Sequence, residues 1–215
     1  HGEHLLVANQ KMSKSLGNIY TIREILERYD AATLRSYFLG SHYRSPIDFF
    51  DQGLEDAEKS MERSYETMDR LDRLVPSNGG TIPDEAVLEE FRREMDEDFN
   101  TPRALAFIFD EIHALNRRLD EGKTAGLSAR VLAMKSAGEV LGLFQEKAEL
   151  FLSRKRERWM RNHGLSAQAI EDLIQRRDRA RSAKQWQEAD RIRAELQERG
   201  ITLEDTPGGT IWKVR

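Results

Sequence analysis

Helical periodicity is the feature of this sequence that most constrains its fold. Between Asp51 and Val75, apolar residues recur at three- and four-residue steps, which places them on one face of a single long helix. This stripe consists of Leu54, Ala57, Met61, Tyr65, Met68, Leu71 and Val75. A helix of this kind buries its apolar face against other elements, so we expect a chain built mainly from packed helices.

Three further amphipathic segments follow the first helix. The first is predicted to run from Asp84 to about Met95, and the second from Asn100 or Thr101 to about Leu119. The third is predicted to run from Ser128 to about Phe144. The break between the first two helices falls at residues 76–80, which are rich in Gly and Pro. Because the connections are short, the expected fold over residues 48–150 is an antiparallel helical bundle.

Smaller elements precede the bundle. Leu5 to Val7 is predicted to be the end of a buried strand. A Thr21–Glu24 capping box predicts a helix from Ile22 to Tyr29. Asp30 caps a second short helix, from Ala31 to Leu39, which Gly40 ends.

A second small unit follows the bundle. Residues 151–165 are interpreted as a linker with some helix, and residues 166–215 as two helices and a β-hairpin. Ser166 caps the first of these helices, whose solvent-facing side is predicted to carry Arg176, Arg177, Arg179 and Arg181. A turn at residues 184–186 leads into the second helix, which Gly200 ends. The predicted strands are Ile201 to Asp205 and Thr210 to Val214.

Composition excludes several classes of protein. The 215 residues include no cysteine, so neither a disulfide nor a Cys-ligated zinc site can form. No apolar run approaches membrane-spanning length and no signal peptide is recognisable, so we expect a cytoplasmic protein without membrane contact. Residues 154–199 carry 13 basic and 8 acidic side chains, a net charge of +5, on a chain whose net charge is −4. This region is either a site for a polyanion or a solvated helix face.

The motif that carries chemistry is the pentapeptide Lys11-Met12-Ser13-Lys14-Ser15, followed by Leu16-Gly17-Asn18. Lysine is a flexible point charge that binds phosphate, and serine hydroxyls and loop amides add hydrogen-bond donors. Such a loop can close over a polyphosphate and stabilise the charge on leaving pyrophosphate. The alternative is a basic surface turn, which five specified residues make the weaker interpretation.

This loop resembles the KMSKS signature of the class I aminoacyl-tRNA synthetases. In that family it holds ATP while the amino-acid carboxylate attacks the α-phosphate, so the resemblance implies that Lys14 binds ATP with its Mg²⁺, with Lys11 beside it. The resemblance covers nearly the whole chain but only the C-terminal part of the family's sequence. It implies that residues 1–47 end the catalytic domain and contact the tRNA stem, and that residues 48–150 are a bundle of the class I anticodon-binding type.

Later segments resemble the cysteinyl-tRNA synthetases in particular. Met95 to Thr101 is similar to a segment specific to them, and residues 30–35 and 42–46 also match. The helix–helix–hairpin ending, residues 166–215, resembles their anticodon-binding domain. The related cysteine ligases of thiol-cofactor biosynthesis share the loop but end differently.

The resemblance implies a parent protein that activates cysteine with ATP and transfers it to tRNA(Cys), with a zinc ion whose ligands lie before this chain. We therefore expect this chain to supply the KMSKS loop and the anticodon contacts, to hold no metal of its own, to be inactive by itself and to be monomeric. Two alternatives are a stand-alone tRNA-binding module without catalysis and a helical scaffold protein.

Five residues are candidates for anticodon recognition. Trp186 can stack on a base, and Asp190, one helical turn later on the same face, can accept from N1–H and N2–H of a guanine. Arg181 and Arg193 flank this face and can donate to bases or phosphates. Asp205 can accept from an amino group of another base. The alternative is that Trp186 packs in the core and that Asp190 pairs with one of the two arginines.

Three polar clusters have simpler explanations than catalysis. The carboxylates at residues 96–98 can bind Mg²⁺ or act as acid and base, but their place at the start of a capped helix favours a structural role. His1 and His4 are not expected to bind a metal. His42 and Arg44 either touch tRNA phosphates or pack and cap.

Overall fold

The computed structural model describes residues 5–7, 10–75, 80–206 and 209–214. The chain divides into two compact units, residues 1–152 and 153–215. The described helices are α1 Ile22–Arg28, α2 Ala31–Leu39, α3 Asp51–Leu74, α4 Glu85–Asp96, α5 Thr101–Asp120, α6 Leu127–Val140, α7 Ala148–His163, α8 Ala167–Ser182 and α9 Trp186–Glu198. The described strands are β1 Leu5–Val7, β2 Gln10–Lys11, β3 Ile47–Asp48, β4 Ile201–Thr206 and β5 Gly209–Val214.

The first unit is a helical bundle, which confirms the predicted mainly α fold. Its core joins apolar residues of α3 to α6 with the start of α7. Tyr65 is buried at its centre, where its ring stacks on Phe151 at 4.2 Å between ring centroids and meets Phe144 edge-on at 5.5 Å. The stripe read from the sequence of α3 faces this core from Met61 onward, whereas its first residue, Leu54, packs in a second cluster that includes Ile25 and Phe49.

Side-chain caps fix the helix starts that the sequence indicated. Thr21 and Glu24 form the complete capping box of α1, and Asp30 and Asp84 accept from backbone N–H groups at the starts of α2 and α4. Asn100 caps α5, which has a proline in its first turn. These caps confirm the predicted starts, because each one depends on residues only two or three positions apart.

A three-stranded sheet lies beside the bundle in the first unit. Strand β1 pairs antiparallel with β2 and parallel with β3, with Leu5 opposite Ile47. The sequence predicted β1 alone, because β2 and β3 are two residues each and too short to show a period. This sheet positions the KMSKS loop, since Met12 N–H donates to the Leu5 carbonyl at 3.0 Å immediately after β2.

Helix α6 ends at Val140, whereas the sequence predicted an end at about Phe144. The chain turns sharply at Gly142, whose φ is +69°, and the Leu143 N–H donates to the Gly138 carbonyl at 2.8 Å. Phe144 then packs back over Gly138, where a Cβ atom would lie 2.4 Å from its ring. The apolar residues after Val140 thus belong to a return turn and not to the helix.

The stretch interpreted as a linker is helical as far as His163, so the sequence interpretation understated its structure. Ala148 and Phe151, near the start of α7, pack in the bundle core, whereas Trp159 and Met160 pack in the core of the second unit. Because the two ends of α7 serve different cores, no single apolar stripe runs along it. The division into four domains that was drawn from the sequence stays a prediction.

The second unit contains α8, α9 and an antiparallel hairpin of β4 and β5. Its core is formed by Ile170, Leu173, Ile174, Ile192, Leu196, Ile201 and Leu203. In the hairpin, Ile201 lies opposite Val214 and Asp205 opposite Thr210, which confirms the predicted pairing. Pro207 and Gly208, expected at its tip, lie outside the described residues.

Candidate functional site

The KMSKS loop is folded around the side chain of Asn18. The Ser13 N–H donates to Asn18 Oδ1 at 2.9 Å, and Asn18 Nδ2 donates to the Lys11 carbonyl at 3.4 Å. A short 3₁₀ turn, Lys14–Leu16, lies inside this bridge, and Gly17 follows it with a φ of +66°. The loop is therefore held at both ends, at Met12 by the sheet and at Asn18 by its own amide.

The two lysines of this loop differ in what the structure describes. Lys11 ends β2 and is exposed, so its ammonium group can reach an anionic ligand. The backbone of Lys14 opens the 3₁₀ turn, and its side chain lies outside the described part of the chain. Ser13 and Ser15 bring their hydroxyl oxygens within 3.2 Å of each other. Cationic, hydroxyl and amide groups thus share one exposed loop, a set that suits a polyphosphate.

A polar cluster in the first unit joins the segment after α2 to the turn between α4 and α5. The Tyr43 hydroxyl donates to Asp98 Oδ1 at 2.8 Å, Arg44 pairs with the same oxygen at 3.0 Å, and His42 Nε2 lies 3.2 Å from the Asp98 carbonyl oxygen. Asp98 and Phe99 both adopt left-handed backbone conformations, with φ values of +59° and +51°. These contacts support the structural interpretation of the acidic segment, and they occupy His42 and Arg44 within the protein.

Trp186 and Asp190 are both exposed on α9, one helical turn apart. Trp186 is the first residue of the helix and 58% of its surface is accessible, so the alternative in which it packs in the core is wrong. Among the described residues, Asp190 makes no ion pair with Arg193 or Arg181. An indole face and a carboxylate are thus available together on one helical surface, with exposed Arg193 three residues further on.

Asp205 is held by a network between α8 and the hairpin of the second unit. Arg177 of α8 grips it with two bonds, Nη1 to Oδ1 at 2.9 Å and Nη2 to Oδ2 at 2.8 Å. Arg181 Nη1 lies 2.8 Å from Oδ2, and the Thr210 hydroxyl donates to Oδ1 at 2.9 Å. Hydrogen bonding to Arg177, more than any other contact, holds the pKa of Asp205 well below its usual range.

Arg177 is the residue of this site that the sequence interpretation missed. It was assigned to the solvent-facing side of α8, but it is 4% exposed, and its hydrogen bond to Asp205 raises the pKa of its guanidinium. The signal was present in the sequence. Ile170, Leu173 and Ile174 define the buried stripe of α8, and Arg177 is the next position on that stripe. An arginine at a core position indicates a side chain that is paired with an acidic or other acceptor group.

Neither a metal cluster nor a membrane-spanning element is found in the described part of the chain. No group of three or more His, Cys, Asp or Glu side chains there is arranged to hold a metal ion. No described helix combines the length and hydrophobicity needed to cross a membrane. His1 and His4 lie outside the described residues.

Comparison with known proteins gives matches in three successive segments of the chain. The catalytic domain of class I (C) tRNA synthetases matches residues 1–59, the DALR domain residues 90–145, and the anticodon-binding domain of cysteinyl-tRNA ligase residues 162–212. The two exposed residues of α9 and the Asp205 network lie in the third segment.

Individual relatives match over nearly the entire chain. The cysteine–tRNA ligase of Geobacter metallireducens is 42% identical over 230 residues, which cover 100% of this chain and 47% of the relative. Those of Halorhodospira halophila and Methylococcus capsulatus are each 40% identical over 215 residues, covering 99% of this chain and 44% and 45% of the relatives. The chain spans about half the length of the curated relatives it matches.

A KMSKS loop on a small sheet, followed by a helical bundle with a DALR match, defines a class I aminoacyl-tRNA synthetase. The third segment and the relatives narrow this class. The chain belongs to the cysteinyl-tRNA synthetase family, which confirms the resemblance seen in its signature loop and C-terminal hairpin.

Proposed function

We propose that this chain is the tRNA-binding portion of a cysteine–tRNA ligase, which activates cysteine with ATP and transfers it to tRNA(Cys). The observation that carries the proposal is the exposed pair Trp186 and Asp190, inside the segment that matches the family's anticodon-binding domain. Reading an unpaired base needs a stacking surface and groups that match the base edge. This pair supplies both at one point of the second unit.

Cysteine tRNAs carry the anticodon GCA. In this proposal the indole of Trp186 stacks on the guanine of that anticodon. Asp190 accepts from N1–H and N2–H of that guanine, since a carboxylate has only acceptors to offer. Arg193 and Arg181 donate to bases or phosphates beside it. Asp205 accepts from the amino group of another anticodon base.

The KMSKS loop acts in the activation of cysteine with ATP and not in anticodon recognition. Lys14 and Lys11 bind the phosphates of ATP, which enters with Mg²⁺, and stabilise the negative charge that develops on pyrophosphate. The cysteine-free chain does not fit a Cys-ligated zinc site, so no step is assigned here to the zinc that is expected in the full-length protein. We expect this protein to act as a monomer in the cytoplasm.

The alternative, a stand-alone tRNA-binding module without catalysis, has less support. The segment over residues 1–59 matches a catalytic domain, and the relatives are named as ligases.

Filter binding of the chain to tRNA(Cys), to an anticodon variant of it and to an unrelated tRNA, at two salt concentrations, tests the proposal. Trp186→Ala is expected to cost roughly 1–3 kcal/mol of affinity for tRNA(Cys), the usual worth of one stacked base. Trp186→Phe, which keeps an aromatic face, is the matched control and should retain most of it. Equal binding of tRNA(Cys) by the alanine variant and the wild type would overturn the assignment of Trp186.

A further inference from the structure

The carboxylate of Asp205 is surrounded by donors and cations of the protein itself. Arg177 Nη1 and the Thr210 hydroxyl donate to Oδ1, both at 2.9 Å, and Arg177 Nη2 donates to Oδ2 at 2.8 Å. Arg181 forms an ion pair with Oδ2, with its Nη1 at 2.8 Å. A base amino group that approaches Oδ2 therefore competes with these two arginines for the same oxygen.

The two arginines differ sharply in what it costs to remove them. The Arg177 side chain is 5% exposed, so releasing it would leave a buried cation with only a long hydrogen bond to the Thr210 hydroxyl, at 3.4 Å, and a contact with Asp178 at 3.6 Å. The Arg181 side chain is 42% exposed and would pass into water. Exposed ion pairs contribute little to stability, and their partners exchange readily. Arg181 is therefore the ion-pair partner that can leave.

Thr210 does not provide an equivalent opening. Its hydroxyl can turn its hydrogen toward Asp178 Oδ1, which lies 3.3 Å from the Thr210 oxygen. The Thr210 oxygen itself stays in place, because Thr210 pairs with Asp205 across the hairpin. Reorienting the hydroxyl thus frees a lone pair but no space.

We propose that Arg177 is a positioning residue for Asp205, and that Arg181 is an exchangeable occupant that leaves Asp205 for the RNA backbone when a base arrives. The inference rests on the proposed function. The vacated position on Oδ2 accepts from the exocyclic amino group of an unpaired base, so cytosine, adenine or guanine fits there and uracil does not. One ion pair is broken and another forms, so the charge of Arg181 stays compensated.

This exchange predicts different phenotypes for the residues of one cluster. Asp205→Asn offers a donor where the base amino group points, and is expected to reduce discrimination against uracil at one anticodon position about tenfold. Arg181→Ala is expected to weaken binding of all tRNAs and to lower the salt slope by about one. Its discrimination at that position should stay within about twofold of the wild type.

Arg177→Lys keeps the positive charge but cannot make two hydrogen bonds to the two oxygens of Asp205. This variant is expected to lose discrimination against uracil as Asp205→Asn does, and the salt dependence of its tRNA binding should not change. Arg179→Ala is the matched control. It removes an exposed arginine from the same helix and should leave discrimination intact.

The experiment measures binding of the whole chain to tRNA(Cys) and to three variants with uracil at each anticodon position, at two salt concentrations. NMR of the arginine side-chain N–H groups on wild-type protein provides a test that does not require the Arg177 variant to fold. The Arg181 signals should shift on adding tRNA(Cys), while those of Arg177 stay in place.

Three outcomes overturn this inference and leave the proposed function standing. The first is that Asp205→Asn discriminates against uracil as the wild type does at all three anticodon positions. The second is that Arg181→Ala loses discrimination as completely as Asp205→Asn. The third is that the NMR signals of Arg181 do not shift in the complex. Failure of the wild-type chain to distinguish any anticodon variant is a different result, because it overturns the proposed function itself.

Discussion

Arg177 of α8 and Asp205 of β4 form a two-pronged ion pair, with 2.9 Å between Nη1 and Oδ1 and 2.8 Å between Nη2 and Oδ2. The pair ties the hairpin to the helix, because 28 residues separate its members in the chain. It also fixes the orientation of the Asp205 carboxylate. In the proposed function, a structural role and a recognition role therefore meet at one contact.

This ion pair predicts a pH dependence of stability in the second unit. Asp205→Asn is expected to lower the free energy of unfolding at pH 7 by about 1.5–3 kcal/mol, the range for hydrogen bonds to charged groups. The pKa of Asp205 is lowered in the folded state. Its contribution is therefore complete above the unfolded-state pKa, near 4, and is lost as the pH falls below that value. The gap between wild type and variant should close from about pH 5 downward.

Denaturant titrations followed by tryptophan fluorescence measure this gap, since Trp159, Trp186 and Trp212 all lie in the second unit. Glu204→Gln is the neighbouring control. It removes a carboxylate whose contact with Lys213, at 3.4 Å, is exposed, and it should change stability at pH 7 by less than about 1 kcal/mol. A gap for Asp205→Asn that stays constant from pH 7 to pH 3 would contradict the prediction.

The sequence predicted best those features that depend on neighbouring residues. The caps by Thr21, Asp30 and Ser166 stand where predicted because a cap joins a side chain to a backbone group two or three positions away. The Arg177–Asp205 pair depends on how the hairpin folds back onto α8, and no local pattern specifies its partner. Helix α7 shows a related limit, since its two ends face separate cores and give no common period.

The signature loop and Trp186 illustrate the same distinction at the candidate site. Motif composition singled out Lys11 and Lys14 as candidates, whereas exposure of Trp186 was one of two alternatives that the sequence left open. The bridge made by Asn18 and the contacts of Asp205 required coordinates. Both depend on which backbone and side-chain atoms come within hydrogen-bonding distance after folding.

Gly142 is expected to resist substitution for two separable reasons. Its φ is +69°, and a Cβ atom there would lie 2.8 Å from Nη1 of Arg35, which donates to the Gly142 carbonyl. Gly142→Ala should destabilise the first unit by about 2 kcal/mol, from left-handed strain of about 1 kcal/mol and the displaced arginine. Gly122→Ala is the matched control, because its φ is +68° and no atom lies within 4 Å of the added Cβ.

Urea titrations followed by far-UV circular dichroism compare the two alanine variants with the wild type. The Gly122 variant reports the backbone strain alone, at about 1 kcal/mol. The excess for Gly142→Ala then measures the Arg35 contact. Equal losses for both variants would show that Arg35 moves aside without cost.

Lys14 is expected to matter for chemistry and not for tRNA affinity. In the full-length protein, Lys14→Ala should slow cysteine-dependent pyrophosphate exchange by about 100-fold, as the loss of one contact to developing charge commonly does. The dissociation constant for tRNA(Cys) should stay unchanged. Arg23→Ala removes a nearby exposed cation outside the loop and serves as the control. A wild-type exchange rate in the Lys14 variant would remove this residue from the mechanism.

Asp190 is expected to determine base identity more than affinity. Asp190→Asn keeps the size of the side chain but replaces one acceptor oxygen by an NH₂ donor, which faces the N–H groups of a guanine and repels them. The preference for guanine over adenine at that anticodon position should fall by about tenfold or more, since one matched pair of base-edge bonds is worth about 1–3 kcal/mol. Stacking on Trp186 does not depend on base identity, so the loss of affinity for tRNAs without that guanine should be small.

Glu198→Gln, which neutralises an exposed carboxylate at the end of the same helix, controls for the change in net charge. Competition binding with anticodon variants separates the two effects, and equal losses for guanine and adenine tRNAs would assign Asp190 a role in folding or general electrostatics instead of base recognition.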